Sequence, residues 1–174
     1  QIALLEMVID PACSVVFEAE SEEKDVMNRP PRKPNAPVLS RGAALWAAAQ
    51  GLAALAIVAM ALFLGARFGL PENELRAFVF AVLVLMNIGL IVVNRSFRSS
   101  LKDALLRPNR TLWVLITAVL LVLGTGLYWK PAQALFHFGP LHLDDVAACL
   151  LAGTVLIGAL EMGKRFVPVQ RAAI

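Results

Sequence analysis

Residues 111–129 form a run of nineteen positions without a single charged side chain. As a helix rising 1.5 Å per residue, such a run covers about 30 Å, the thickness of a bilayer's hydrocarbon core. It has company. Comparable apolar blocks occupy residues 1–17, 42–66, 77–93 and 143–163. They show neither the 3.6-residue period of a surface helix nor the alternation of a half-buried strand, so a soluble fold is excluded. In lipid a backbone must satisfy its own hydrogen bonds, which leaves helices as the structure for blocks of this length. The sequence therefore predicts an all-α membrane protein, a bundle of five transmembrane helices. The first of them is truncated at its start and broken near Pro11.

Composition agrees: mean hydropathy is +0.70 and 17% of residues are charged, below the roughly 25% of soluble domains. The chain starts at Gln1 and becomes apolar almost at once, with no basic segment before block one and no small-residue cleavage site after it. It reads as part of a longer polypeptide, not as a chain with a signal peptide.

Two polar connectors are expected in the cytoplasm, 18–41 and 94–110. The first opens acidic, at Glu18, Glu20, Glu22, Glu23 and Asp25, then turns basic and proline-rich between Arg29 and Pro37. Proline fixes φ and lacks an amide hydrogen, so this stretch is expected to be extended and reads as a solvated connector in preference to an SH3-type ligand. Thirteen of the sixteen Lys and Arg residues fall in these two connectors or after block five; Arg67, Arg76 and Lys130 fall on the other side. The positive-inside rule then places the C-terminus in the cytoplasm. Basic residues dispersed between apolar blocks do not make a nucleic-acid surface, so lipid is the expected partner and nucleic acid is not. Tyr128 and Trp129 at one end of block four and Trp113 at the other suit the aromatic belts of the two interfaces. Asp144 or Asp145 suits the start of helix five, where the dipole favours an anion.

Glu6 and Asp10 are two acids inside one apolar block, four residues apart and so on one helix face. A charge at membrane depth costs about 2.5–3.5 kcal/mol on insertion scales. Two like charges that close need a cation, a shared proton or a basic partner, and block one contains no Lys or Arg. Pro11 frees the carbonyl of Met7, one turn back. Carboxylates with a free carbonyl are hard oxygen ligands, suited to Ca²⁺, Mn²⁺, Mg²⁺ or a monovalent ion. Asn87, midway along block three, is either a neutral ligand to the same ion or an interhelical hydrogen-bonding residue.

Gln50 and the Ala- and Gly-rich face of block two read as helix-packing features. Glu161 beside Lys164 and Arg165 reads as a snorkelling ion pair. His137 and His142 lack acidic or cysteine company at metal-ligand spacing, and Cys13 and Cys149 read as small buried residues. The acceptor patterns at Asn94 and Asn109 fall in a connector expected to be cytoplasmic, where glycosylation does not occur. There is no P-loop, GxSxG, HExxH or CxxC motif.

The run LEMVIDPACSVVFE at 5–18, followed by DVMNRPPR at 25–32, resembles the sixth transmembrane helix and following loop of P-type cation-transporting ATPases, the calcium-pump-like group above all. In that family a polar residue and an Asp four apart coordinate the transported ion, and Glu6 and Asp10 match them. The family's eighth helix also supplies a polar ligand, for which Asn87 is the candidate. The chain departs from the family at Glu6, usually Asn, and at Pro11, usually Gly or Thr. The resemblance implies one domain over 1–174, with helices six to ten of a pump. It implies helices one to five and the upstream domains of the same pump as partners. ATP and Mg²⁺ would act only in those upstream domains, so this chain would not hydrolyse ATP unaided. The expected location is a bacterial inner membrane. Two rival readings are a non-enzymatic membrane scaffold or accessory subunit, and a small proton-coupled transporter.

Overall fold

The computed structural model describes residues 6, 14–20, 41–95 and 109–164. Asp10, Pro11, Cys13, Arg165 and the proline-rich connector lie outside them. Five helices follow one another: α1 (Arg41–Arg67), α2 (Glu72–Asn94), α3 (Arg110–Tyr128), the short α4 (Lys130–Phe136) and α5 (Leu143–Lys164). Ahead of them, Glu6 and residues 14–18 are helical. No strand occurs among the described residues. Helices α1, α2, α3 and α5 are each long and apolar enough to cross a membrane, and the chain is an all-helical membrane bundle.

The centre of the bundle is α2. Of its apolar window 61% is buried, against 11% for α1 and 22% for both α3 and α5. Its sequence is compatible with the placement: from Ala77 to Val93 only Asn87 interrupts the apolar residues around the helix, so it can be packed on every side. Ala77, Val82, Met86 and Val93 are almost fully buried. Helix α5 packs most extensively against α2, and α1 takes the next position. The outer helices leave Leu52, Leu55, Phe63, Val114, Leu121, Leu150 and Leu151 exposed. An apolar rim of that extent is what acyl chains or further membrane helices cover.

Between apolar helices in lipid, close packing and interhelical hydrogen bonds provide the attraction. Gly89 lets α5 approach, since a Cβ there would sit 3.2 Å from Ile157. Gln50 of α1 and Asn94 of α2 exchange two amide hydrogen bonds, at 2.9 and 3.2 Å. Gln50, read from sequence as a packing residue, is thus a buried polar clamp.

The helix junctions follow from turn chemistry. Gly69 takes a left-handed φ of 76°. Its N–H donates to Ala66, and the N–H of Leu70 donates to Gly65. This is a Schellman termination, and Pro71 after it prevents α1 from continuing. Helix α4 ends similarly at His137, φ 55°. There the N–H groups of His137 and Phe138 both donate to Gln133. Phe138 then turns into the core and stacks on Phe80 of α2 at 5.1 Å. The next residue ties the same loop to the start of α2, because the N–H of Gly139 donates to Asn73 at 2.8 Å.

Gly139→Ala puts a Cβ 2.8 Å from the backbone nitrogen of Glu74 and 3.0 Å from the carbonyl carbon of Asn73. Backbone atoms cannot yield cheaply, and we expect a loss of about 1–3 kcal/mol. Denaturant unfolding in detergent micelles, followed by tryptophan fluorescence, measures it; an unchanged midpoint refutes the steric argument. A double-mutant cycle of Gln50→Leu and Asn94→Leu, read in the same assay, is expected to give a coupling of about 0.6–1.7 kcal/mol.

Candidate functional site

Glu6 is helical and exposed on this chain. Asn87 is half-buried in α2, and its Nδ2 donates to the carbonyl of Leu83 one turn back, at 2.9 Å. The amide nitrogen is therefore tied to its own helix. Any ligand role for Asn87 would fall to Oδ1, the hard oxygen of the amide. Among the described residues Glu6 and Asn87 share no hydrogen bond or ion pair. Asp10 lies outside those residues.

The densest polar chemistry lies at the opposite end of α2 from its hairpin with α1. There the helical turn at 14–18 docks on the bundle. Val16, fully buried, packs with Ile91 of α2 and Leu112 of α3. Just beyond that turn stands Glu20. Arg95 at the C-cap of α2 grips its carboxylate with two bonds, Nε to Oε2 at 2.8 Å and Nη2 to Oε1 at 3.0 Å. Asn109 adds a third, from Nδ2 to Oε2 at 2.8 Å. Asn109 is itself the N-cap of α3, and its Oδ1 accepts from the N–H of Leu112 at 3.0 Å. The Arg95 side chain is 1% exposed and that of Glu20 12%. A bidentate pair buried to that degree is strongly destabilised by removal of either partner, by about 3–5 kcal/mol, because the survivor is left charged and unsolvated.

Lys164, at the last turn of α5, reaches inward. Its Nζ donates to the carbonyl of Val93 at 2.7 Å and lies 3.2 Å from Glu161. The snorkelling pair expected from sequence is thus partly buried, and its cation meets the carbonyl end of α2, where the helix dipole is negative. Cys149 is buried, as expected, with Sγ 3.9 Å from the carbonyl of Phe78.

At the other end of the bundle His142 does have acidic company. Ligand atoms of His142, Asp144 and Asp145 lie within 4.8 Å of one another. The local geometry has a structural explanation. His142 is the N-cap of α5, since its carbonyl accepts from Val146 at 3.1 Å. Asp145 reaches back to the N–H of His142 at 3.0 Å. That is the returning half of a capping box. Of the two acids suggested as caps, Asp145 acts.

Sequence reasoning had no means of joining Glu20 to Arg95 and Asn109. They lie 75 and 89 residues apart, and ion pairing across a fold leaves no spacing signature. Only Asn109 carried a readable signal, as a helix-capping residue three positions before Leu112. Its side chain, and that of Asn94, are engaged in hydrogen bonds. That argues against modification at either acceptor pattern.

No curated protein matches the chain. A family model described as cation transporting ATPase, C-terminus, matches residues 1–166. The match runs through the N-terminal segment with its two acids and through all five described helices. With four bilayer-length helices packed in one bundle and nearly the whole chain matched, the chain belongs to this family, the C-terminal membrane region of cation-transporting P-type ATPases.

Proposed function

We propose that this chain forms the ion-binding half of the membrane sector of an ATP-driven pump with calcium-like cation selectivity. Glu6 and Asp10 act as its charged ligands and Oδ1 of Asn87 as a neutral one. The observation that carries this reading is the pair of acids four residues apart in an apolar segment, within a region matched to cation-transporting ATPases. Two carboxylates and an amide oxygen are hard donors, which favours Ca²⁺, Mn²⁺, Mg²⁺ or a monovalent ion over thiophilic metals. Glu6 is exposed on this chain, leaving it open to helices one to five of the same pump. ATP and Mg²⁺ act in the pump's upstream domains. Phosphoryl transfer there alternates access to the membrane site.

The distribution of Lys and Arg orients the sector. Arg41, Arg95, Arg110 and Lys164 cluster at one end of the helices, and Arg67, Arg76 and Lys130 at the other. By the positive-inside rule the first end would face the cytoplasm.

In the complete pump, Asp10→Asn removes one formal charge from the ion's coordination. It is expected to abolish cation-dependent phosphoenzyme formation, while Glu6→Gln raises the half-saturating cation concentration at least about tenfold, equivalent to about 1.4 kcal/mol. Phosphorylation by labelled ATP across a titration of Ca²⁺, Mn²⁺ and K⁺ measures both. Unaltered cation dependence in Asp10→Asn overturns the assignment.

A further inference from the structure

We propose that α4 lies in the interfacial layer of the bilayer. The face formed by Pro131, Ala134 and Leu135 is turned to lipid, and Tyr128, Trp129 and Lys130 stand at headgroup depth. The proposal needs only the membrane bundle and is independent of which cation the protein carries.

The two ends of α4 fix where it runs. It starts where α3 stops: the extended backbone of Trp129 ends α3, its N–H still donating to Thr125, and its carbonyl accepts the first bond of α4, from Gln133. The 19 residues of α3 cover about 28 Å, so the chain that leaves it stands at the edge of the hydrocarbon layer. Beyond its other end, α4 is pinned to the start of α2, because Phe138 stacks on Phe80 and the N–H of Gly139 donates to Asn73. Both attachments lie at one end of the bundle. The 7 residues between them, about 10 Å of helix, run across that end and not away from it.

The two faces of α4 differ. Inward, Nε2 of Gln133 donates to the carbonyl of Leu127, in the last turn of α3. Phe136, half-buried, packs against the core and against Phe138, with ring centroids 5.7 Å apart. Outward, Pro131, Ala134 and Leu135 share one face by their spacing, and all three are exposed, Leu135 at 72%. No polar side chain interrupts that face. A short helix with one side committed to protein and the other apolar sinks its free side about 5–10 Å into the boundary between headgroups and acyl chains.

The surroundings of this face argue for lipid as its occupant. Val114, Leu121 and Tyr128, seven apart along α3, are all exposed and make one stripe that runs down to α4. A stripe of bilayer length faces acyl chains, and its last member and the next residue, Trp129, carry the amphipathic rings enriched at the membrane interface. Lys130, exposed beside them, snorkels toward the headgroups. At the same end Phe68 after α1 and Leu143 at the start of α5 are also exposed. Large apolar side chains left open on several separate elements suit a layer that meets all of them. The described charges at this end, Arg67, Arg76 and Lys130 against Glu72, Glu74, Asp144 and Asp145, leave no excess of cations to recruit anionic lipid. The attraction is therefore apolar, and a zwitterionic bilayer satisfies it.

The test uses the full-length protein in vesicles of phosphatidylcholine and phosphatidylethanolamine. A photoreactive benzophenone side chain replacing Leu135 is expected, on irradiation, to add the mass of one phospholipid. The same side chain replacing Phe136, on the opposite face, is expected to join another part of the polypeptide. Leu135→Trp gives a second reading that asks nothing of the packing, because the position is exposed. Its added emission, taken as the difference from the unaltered protein, is expected to be blue-shifted and quenched by phospholipids brominated high on the acyl chain, and to be insensitive to aqueous iodide. Attachment of position 135 to polypeptide overturns the inference in favour of a protein partner or of other helices of the same protein. Quenching by iodide without quenching by brominated lipid overturns it in favour of water.

Discussion

Inside hydrocarbon a backbone N–H or C=O finds no partner except another part of the protein. Regular helix satisfies these groups everywhere but at its ends, and the ends are where this chain concentrates its polar side chains. Asn109 closes the start of α3, His142 and Asp145 close the start of α5, and Gly69 closes the end of α1. Lys164 answers a terminal carbonyl of α2. Packing between the helices is mostly apolar along their length, with Gln50 of α1 the polar exception described above, and polar at their ends.

That the molecule is an all-helical membrane bundle was legible from block length alone. No sequence period was needed, since lipid removes the alternatives. The helix starts were less legible. Glu72, Asn73, Glu74 and Arg76 belong to α2, yet hydropathy does not reveal them, because they are polar. Helix α4 was missed for a related reason. It has seven residues and begins with Lys130 and Pro131, so it reads as loop until its backbone bonds are seen. At the candidate site, the spacing of Glu6 and Asp10 was legible, but of the two only Glu6 falls among the described residues. Asn87 was offered two roles, and its amide nitrogen turned out to serve its own helix. His142 was read as lacking acidic neighbours, although Asp145 is only three residues on; its importance lay in a fold-back of the chain, which linear spacing underrates.

The electrostatic asymmetry between the two ends of the bundle has a local and a global aspect. Globally, basic residues outnumber acidic ones at the α2 C-terminal end, as expected for a surface meeting anionic lipid headgroups. Locally, two of those cations are withdrawn from solvent. Arg95 is committed to Glu20 and Lys164 to Val93 and Glu161. A count of Lys and Arg therefore overstates the charge this end presents to the membrane surface.

The central position of α2 also has a consequence for biosynthesis. Its principal neighbour, α5, is made last among the described helices, and the pairs Cys149–Phe78 and Lys164–Val93 each join residues 71 positions apart. During translation α2 enters the bilayer before the helix that covers most of it, with its hairpin to α1, the turn at 14–18 and α3 as its earlier neighbours among the described residues. A chain lacking α5 would leave the most buried helix of the bundle without its largest neighbour.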